Sequence, residues 1–218
     1  MKIDVDVLIP EELRDLGKKR KDKLLEACQS ERNDAALNTC IIGLKVMNHV
    51  YGIGIERADR VSKVWSQKIV DFYTSDREIA FKPEMHMDCI GTLRHDVKKD
   101  FGDLSPRRQR QIESFLVENR LDSSDACWYL GTEAMREILG FGNDRIARLN
   151  AQWKRDLMDF YEDRETNEPR LKAWLEEIGF AFQGTGFYTY RDDTGKAVKA
   201  SIAKREIAKE EKNAEKKI

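Results

Sequence analysis

Two short stretches combine glycines with closely following cations. In "GIGIERADR" (52–60), Gly52-Ile53-Gly54 precedes Arg57 and Arg60; in "GFGNDRIAR" (140–148), Gly140-Phe141-Gly142 precedes Arg145 and Arg148. Glycines permit tight backbone geometry. A helix that starts just after them offers free N–H groups, which favour phosphate. Arg57, Arg60 and Lys68 lie largely off the apolar stripe that follows the first turn, as do Arg145, Arg148, Lys154 and Arg155 after the second. Each strip is either a solvated face balanced by Glu56, Asp59 and Asp144 or a phosphate-facing surface. Two further basic segments, "GKKRKDK" (17–23) with Lys19 and Arg20 and "PRRQR" (106–110) with Arg107 and Arg108, complete the candidate nucleic-acid-binding set.

Other chemistry is thin. His86-x-x-Cys89, with Asp88 and His95 nearby, has loose spacing for a metal site. "QGTGF" (183–187) lacks the Lys-Ser/Thr of a phosphate loop. His49, just before the first turn, reads as a packed or capping residue. The carboxylates are spread along helices and read as solvent-facing. The chain therefore reads as a non-enzymatic binding protein with no metal or cofactor.

The bulk numbers agree with a helical chain. It has 218 residues, 36% of them charged, and only four prolines. That length suffices for one or two domains with a real core. Lys plus Arg is 39 and Asp plus Glu is 40, so any polyanion binding must come from local clusters. Cys28, Cys40, Cys89 and Cys127 form no CxxC pair and read as reduced thiols. The N-terminus lacks the order of a signal peptide. No apolar run approaches the roughly 18 residues of a membrane span. The expected location is the cytoplasm.

The elements that carry the arginines occur twice. "YGIGIERADRVSKVWSQKIVDFY" (51–73) aligns without a gap on "LGFGNDRIARLNAQWKRDLMDFY" (139–161), at an offset of 88 residues. Both glycines, both arginines, Trp65/Trp153 and the Asp-Phe-Tyr endings coincide. Farther out, Asp15 falls on Asp103, Gly43 on Gly131, and Met47 on Met135. The fold expected is mainly α: two pseudo-symmetric helical repeats, 11–92 and 99–180, related by this duplication. In each, a basic segment leads to a helix (Cys40, Leu44 and Met47; Cys127, Leu130, Ala134 and Ile138). A glycine turn and a second helix follow. The apolar stripe of that second helix (Val61, Trp65, Ile69, Phe72 and Tyr73; Leu149, Trp153, Leu157, Phe160 and Tyr161) is expected in the core. Residues 181–218 differ: a short β-hairpin, with a strand region over 187–199 and its turn at "DDTGK", and then a charged helix.

The run Val50, Gly52, Ile53, Gly54, Ala58, Val61 resembles the helix-hairpin-helix motif. Ile138, Gly140, Phe141, Gly142, Ile146 and Leu149 repeat it. The resemblance implies two helices joined by a hairpin and sequence-independent DNA binding. Tyr51 and Leu139 stand where the motif often has Pro, and Glu56 and Asp144 where DNA-binding members often carry Lys. "LGFGNDRIARL" with "LKAWLEEIGF" also resembles short uncharacterised phage and prophage proteins of Gram-positive bacteria, of which this chain looks like a doubled form. That resemblance implies a role in DNA metabolism or in countering host defence. The expected partner is nucleic acid, duplex or single-stranded. The alternative is a host protein, with the chain acting as a phage-encoded inhibitor of a defence system such as CRISPR.

Overall fold

The computed structural model describes residues 9–74, 93–183, 186–192 and 194–199. Among the described residues, a 3-10 turn at Glu11–Leu13 is followed by six helices and two strands. The helices are α1 (Lys18–Tyr51), α2 (Ile55–Thr74), α3 (Val97–Phe101), α4 (Pro106–Leu139), α5 (Asn143–Glu162) and α6 (Arg164–Ile178). The strands are β1 (Phe180–Gln183) and β2 (Gly186–Thr189). Local chemistry sets the boundaries. Ser105 caps α4 through its hydroxyl, with Pro106 at the first helical position. Asp96 caps α3 and Asp163 caps α6. Gly52 and Gly140 end α1 and α4 in the left-handed region, at φ 60° and 64°, where a Cβ would be strained. Helices α1 and α4 have 34 residues each, and α2 and α5 have 20 each.

The two long helices lie side by side and parallel. Contacts between them climb in step along both chains. Glu31 meets Arg120, Thr39 Oγ1 is 2.7 Å from Ser124 Oγ, and the Cys40 and Cys127 sulfurs are 3.4 Å apart. Cys28, Cys40 and Cys127 are free thiols. Burial and the neighbouring Cys40 push the Cys127 thiol well above its ordinary value.

Each shorter helix crosses over. Helix α2 packs on α4, and α5 packs on α1. One core therefore takes residues from both segments: Ile41, Val46, Val61 and Trp65 with Trp128, Met135, Leu149 and Trp153. In the expected stripe, Val61, Trp65, Leu149, Trp153, Leu157 and Phe160 are buried, and Ile69, Phe72 and Tyr161 are half-buried. The side chain of Tyr73 lies outside the described residues. Trp128 stacks parallel on Trp153 at 4.4 Å and meets the edge of Trp65 at 6.1 Å. Because α1 is covered on several sides, Ile41, Ile42, Gly43 and Leu44 are buried in succession, a pattern no one-sided amphipathic helix produces.

A second cluster fills the opposite end. Ile9, Leu13, Leu16 and Leu24 pack there with Phe101, Ile112 and Leu116. Two reciprocal ion pairs close that end, Arg20 with Asp103 and Arg108 with Asp15.

The C-terminal strands correct the sequence reading. The hairpin pairs Phe180 with Thr189 through Gln183 with Gly186, so it begins before the expected strand region. Around "DDTGK" the described residues form a single bridge, Arg191 to Ala197. The reason is Gly179, at φ 115°. It ends α6 and turns the chain at once, which buries Phe180 in the core. Asp59 on α2 accepts hydrogen bonds from Thr189 and Arg191 and so ties the hairpin to the bundle. The expected C-terminal helix falls on 200–218, outside the described residues.

Candidate functional site

The two glycine turns are built alike. The Gly52 N–H bonds to the Asn48 carbonyl at 2.8 Å, and the Gly140 N–H to that of Arg136 at 3.0 Å. Ile53 and Phe141 turn inward and are buried. The four glycines face open space: a Cβ at Gly52, Gly54, Gly140 or Gly142 would meet nothing within 4 Å. Asn48 Nδ2 also bonds to the Ile53 carbonyl at 3.1 Å and stitches the first turn.

Because α1 and α4 are parallel, both turns emerge at the same end. The Tyr51 hydroxyl donates to the Arg145 carbonyl at 3.3 Å, and the Tyr51 and Phe141 rings are 5.0 Å apart. Between the turns lies a cleft of about 690 Å³. Arg57, Arg60, Arg145 and Arg148 line it, over a floor of Tyr51, Ile53, Ile138, Leu139 and Phe141. All four arginines are exposed. Among the described residues, the side chains of Arg57, Arg60 and Arg148 make no hydrogen bond or ion pair, and Arg145 makes only a contact over the Phe141 ring at 5.4 Å. Four guanidinium groups around one recess, with no counter-ion among the described residues, form a strongly anion-attracting surface.

The nearby acids do not neutralise it. Glu56 is paired with Lys196 at 2.6 Å. Asp59 is held by Lys63, Thr189 and Arg191. Burial pushes the Asp59 carboxyl up, but those hydrogen bonds outweigh burial and hold it below its ordinary value. Asp144 is exposed on the first turn of α5 and is not part of the cleft lining.

The remaining predicted site residues lie elsewhere. Lys19, Arg20, Arg107 and Arg108 sit at the start of α1 and α4, about 50 Å from the turns along a 34-residue helix. Arg20 and Arg108 are engaged by the ion pairs with Asp103 and Asp15. Lys19 and Arg107 are exposed there. Lys68 pairs with Glu137 at 3.0 Å, and Arg155 donates to Gln152.

Sequence reasoning missed a buried ionic hub midway along the bundle. Glu31, fully buried, accepts from the Arg94 and His95 backbone N–H groups and from Arg120. Asp34 is gripped by both terminal nitrogens of Arg164, at 2.9 and 2.6 Å, and lies 2.8 Å from Arg120. Tyr161 accepts from Arg120 at 2.7 Å. No local signal marks these residues, since mid-helix charges read as solvated. The hub joins α1, α4, α5 and α6 and is closed by its own partners, so it reads as structural. Burial raises the Asp34 carboxyl, but Arg164 and Arg120 outweigh burial and hold it low. Glu168 is held low in the same way by Lys172 and Arg164. A depressed carboxyl stabilises the fold fully above its unfolded value, near pH 4, and that stability is lost as pH falls through the folded value. The melting temperature is therefore expected to hold steady from about pH 7 to 5 and to fall below about pH 4. Asp34→Asn should show a shallower acid slope by thermal melts; an equal slope would rule Asp34 out as a source.

A smaller cavity, about 330 Å³, lies beside α6 and is lined in part by Lys45, His49, Asp156, Phe160, Arg170 and Trp174. Lys45 and Asp156 pair within it at 3.0 Å. Among the described residues no group of three or more His, Cys, Asp or Glu could hold a metal. His86 and Cys89 lie outside the described residues, and His95 Nδ1 is engaged with Glu31 at 3.0 Å. No described helix is long and apolar enough to cross a membrane.

No protein-family model, curated protein or solved structure matches this chain.

Proposed function

We propose that the chain binds the phosphate backbone of nucleic acid through its two helix-hairpin-helix-like turns, as a non-enzymatic binding protein. The observation that carries this reading is the set of four exposed arginines around one cleft, with no counter-ion among the described residues. The free N–H groups at the starts of α2 and α5 add to the same field. Helix α5 supports this further, because Gly142 supplies no side-chain cap there. Binding through phosphates gives affinity without sequence preference. We also infer that the molecule is a duplicated unit with pseudo-two-fold symmetry. The equal helix lengths, the like-shaped turns and the reciprocal ion pairs of Asp15 and Asp103 support that inference.

Fluorescence anisotropy with a short labelled oligonucleotide tests the function. With four phosphate contacts, log K should fall against log salt with a slope of about −3 to −4. Arg57→Ala should reduce that slope by about 1. Arg57→Glu with Arg145→Glu should abolish binding, whereas Arg107→Glu, at the far end, should leave it unchanged. If neither duplex nor single strand binds at low salt, the reading fails. A host-protein complex stable at high salt would then favour the inhibitor alternative.

A further inference from the structure

We infer that the cleft between the turns takes a single nucleic-acid strand in preference to a duplex; this rests on the nucleic-acid reading above. The recess is amphipathic. Its cations come from both walls, Arg57 and Arg60 from α2 and Arg145 and Arg148 from α5. Its floor is apolar and includes Tyr51, Ile138 and Leu139, each half-buried and so partly open to a ligand. A duplex meets such a recess with only its sugar-phosphate ridge. Its bases are stacked inward, and it is too stiff to fold into a short concavity, with a persistence length of about 50 nm. The apolar floor would stay uncovered. A single strand is flexible and carries both chemistries on the same few nucleotides. Its successive phosphates meet the arginines while a base lies against the floor, the combination that single-strand-binding grooves use.

Charge matching points the same way. One phosphodiester carries one negative charge, so four cations around 690 Å³ suit several consecutive phosphates of one strand. The two phosphate ridges of a duplex are separated by its grooves, about 6 and 12 Å wide. Tyr51 holds a central position, because its ring packs on Phe141 and its hydroxyl bridges to the opposite turn.

The test uses the full chain and three labelled probes of equal length at low salt: a 20-mer of deoxythymidine, a 20-base-pair duplex, and a 20-unit abasic deoxyribose-phosphate chain. The expected result is that the single strand binds at least tenfold more tightly than either of the others. Tyr51→Ala, with its fold checked by circular dichroism, should lower single-strand affinity by about tenfold and leave the abasic chain unaffected. Equal or tighter duplex binding overturns the inference while leaving the phosphate-binding reading intact. Abasic binding equal to that of the single strand also overturns it, since the bases would then contribute nothing. That comparison needs no altered protein, so it decides the matter even if the Tyr51 variant does not fold. Failure of all three probes to bind removes both this inference and the reading beneath it.

Discussion

Arg120→Leu is expected to lower stability by about 3–5 kcal/mol. The side chain is 2% exposed and joins Glu31, Asp34 and Tyr161 at 2.7–2.8 Å. Its removal leaves Glu31 and Asp34 buried, with part of their compensation gone. Asp34 keeps Arg164, but among the described residues Glu31 keeps only the 94–95 segment. An uncompensated buried charge is far more costly than the pair was favourable. A loss of this size consumes much of the 5–15 kcal/mol that holds a typical domain together. For a chain of this length it corresponds to a drop of roughly 6–20 °C in the midpoint. Thermal and urea melts check it. A change below about 1 kcal/mol would mean that the hub is solvated and adaptable. Because α1, α4 and α6 meet there, the loss should appear as one cooperative transition shifted down, not as a separate early melting of α6.

Trp65→Ala is expected to cost about 3–5 kcal/mol. The indole is buried between the two long helices, and its Nε1 donates to the Cys127 carbonyl at 2.8 Å. It fits only because glycines face it. A Cβ on Gly131 would stand 2.4 Å from the ring, and one on Gly43 would stand 2.7 Å from it. Helix propensity alone favours Gly131→Ala by about 1 kcal/mol. Overpacking against Trp65 opposes it by about 1–3 kcal/mol. The net expected is destabilisation, and the sign should reverse in a Trp65→Ala background, where the clash is gone. The double-mutant cycle measures this coupling directly. Additive effects would show that Gly131 does not seat the tryptophan.

Much of the local architecture was legible in the residues. The glycines at 52 and 140 end helices because few other residues adopt positive φ cheaply, and those ends stand where the spacing put them. The aromatic stripes are legible because burial follows helical period. The hairpin was only partly legible. "DDTGK" is a good turn signal, but pairing starts at Phe180, where Gly179 throws the chain back onto the core. The ionic hub was not legible at all. Glu31 and Arg120 are 89 residues apart, and neither has a local pattern that separates it from a solvated charge. Residue type and spacing alone group Lys19 and Arg107 with the turn arginines, since composition reports that cations cluster but not where each cluster stands.

By itself the sequence determined the helices, their glycine ends, the apolar stripes and the four arginines that follow the turns. These depend on backbone sterics and on periodicity within a single segment. Only the tertiary structure decided that α1 and α4 run parallel, that α2 and α5 cross to the opposite long helix, and that both turns therefore open onto one cleft. An apolar stripe states which face of a helix must be covered, not which helix covers it. That choice rests on non-local fits, such as a tryptophan seated on the glycine of another segment. It is this choice that gathers two pairs of arginines around one cleft and leaves Lys19, Arg20, Arg107 and Arg108 about 50 Å away.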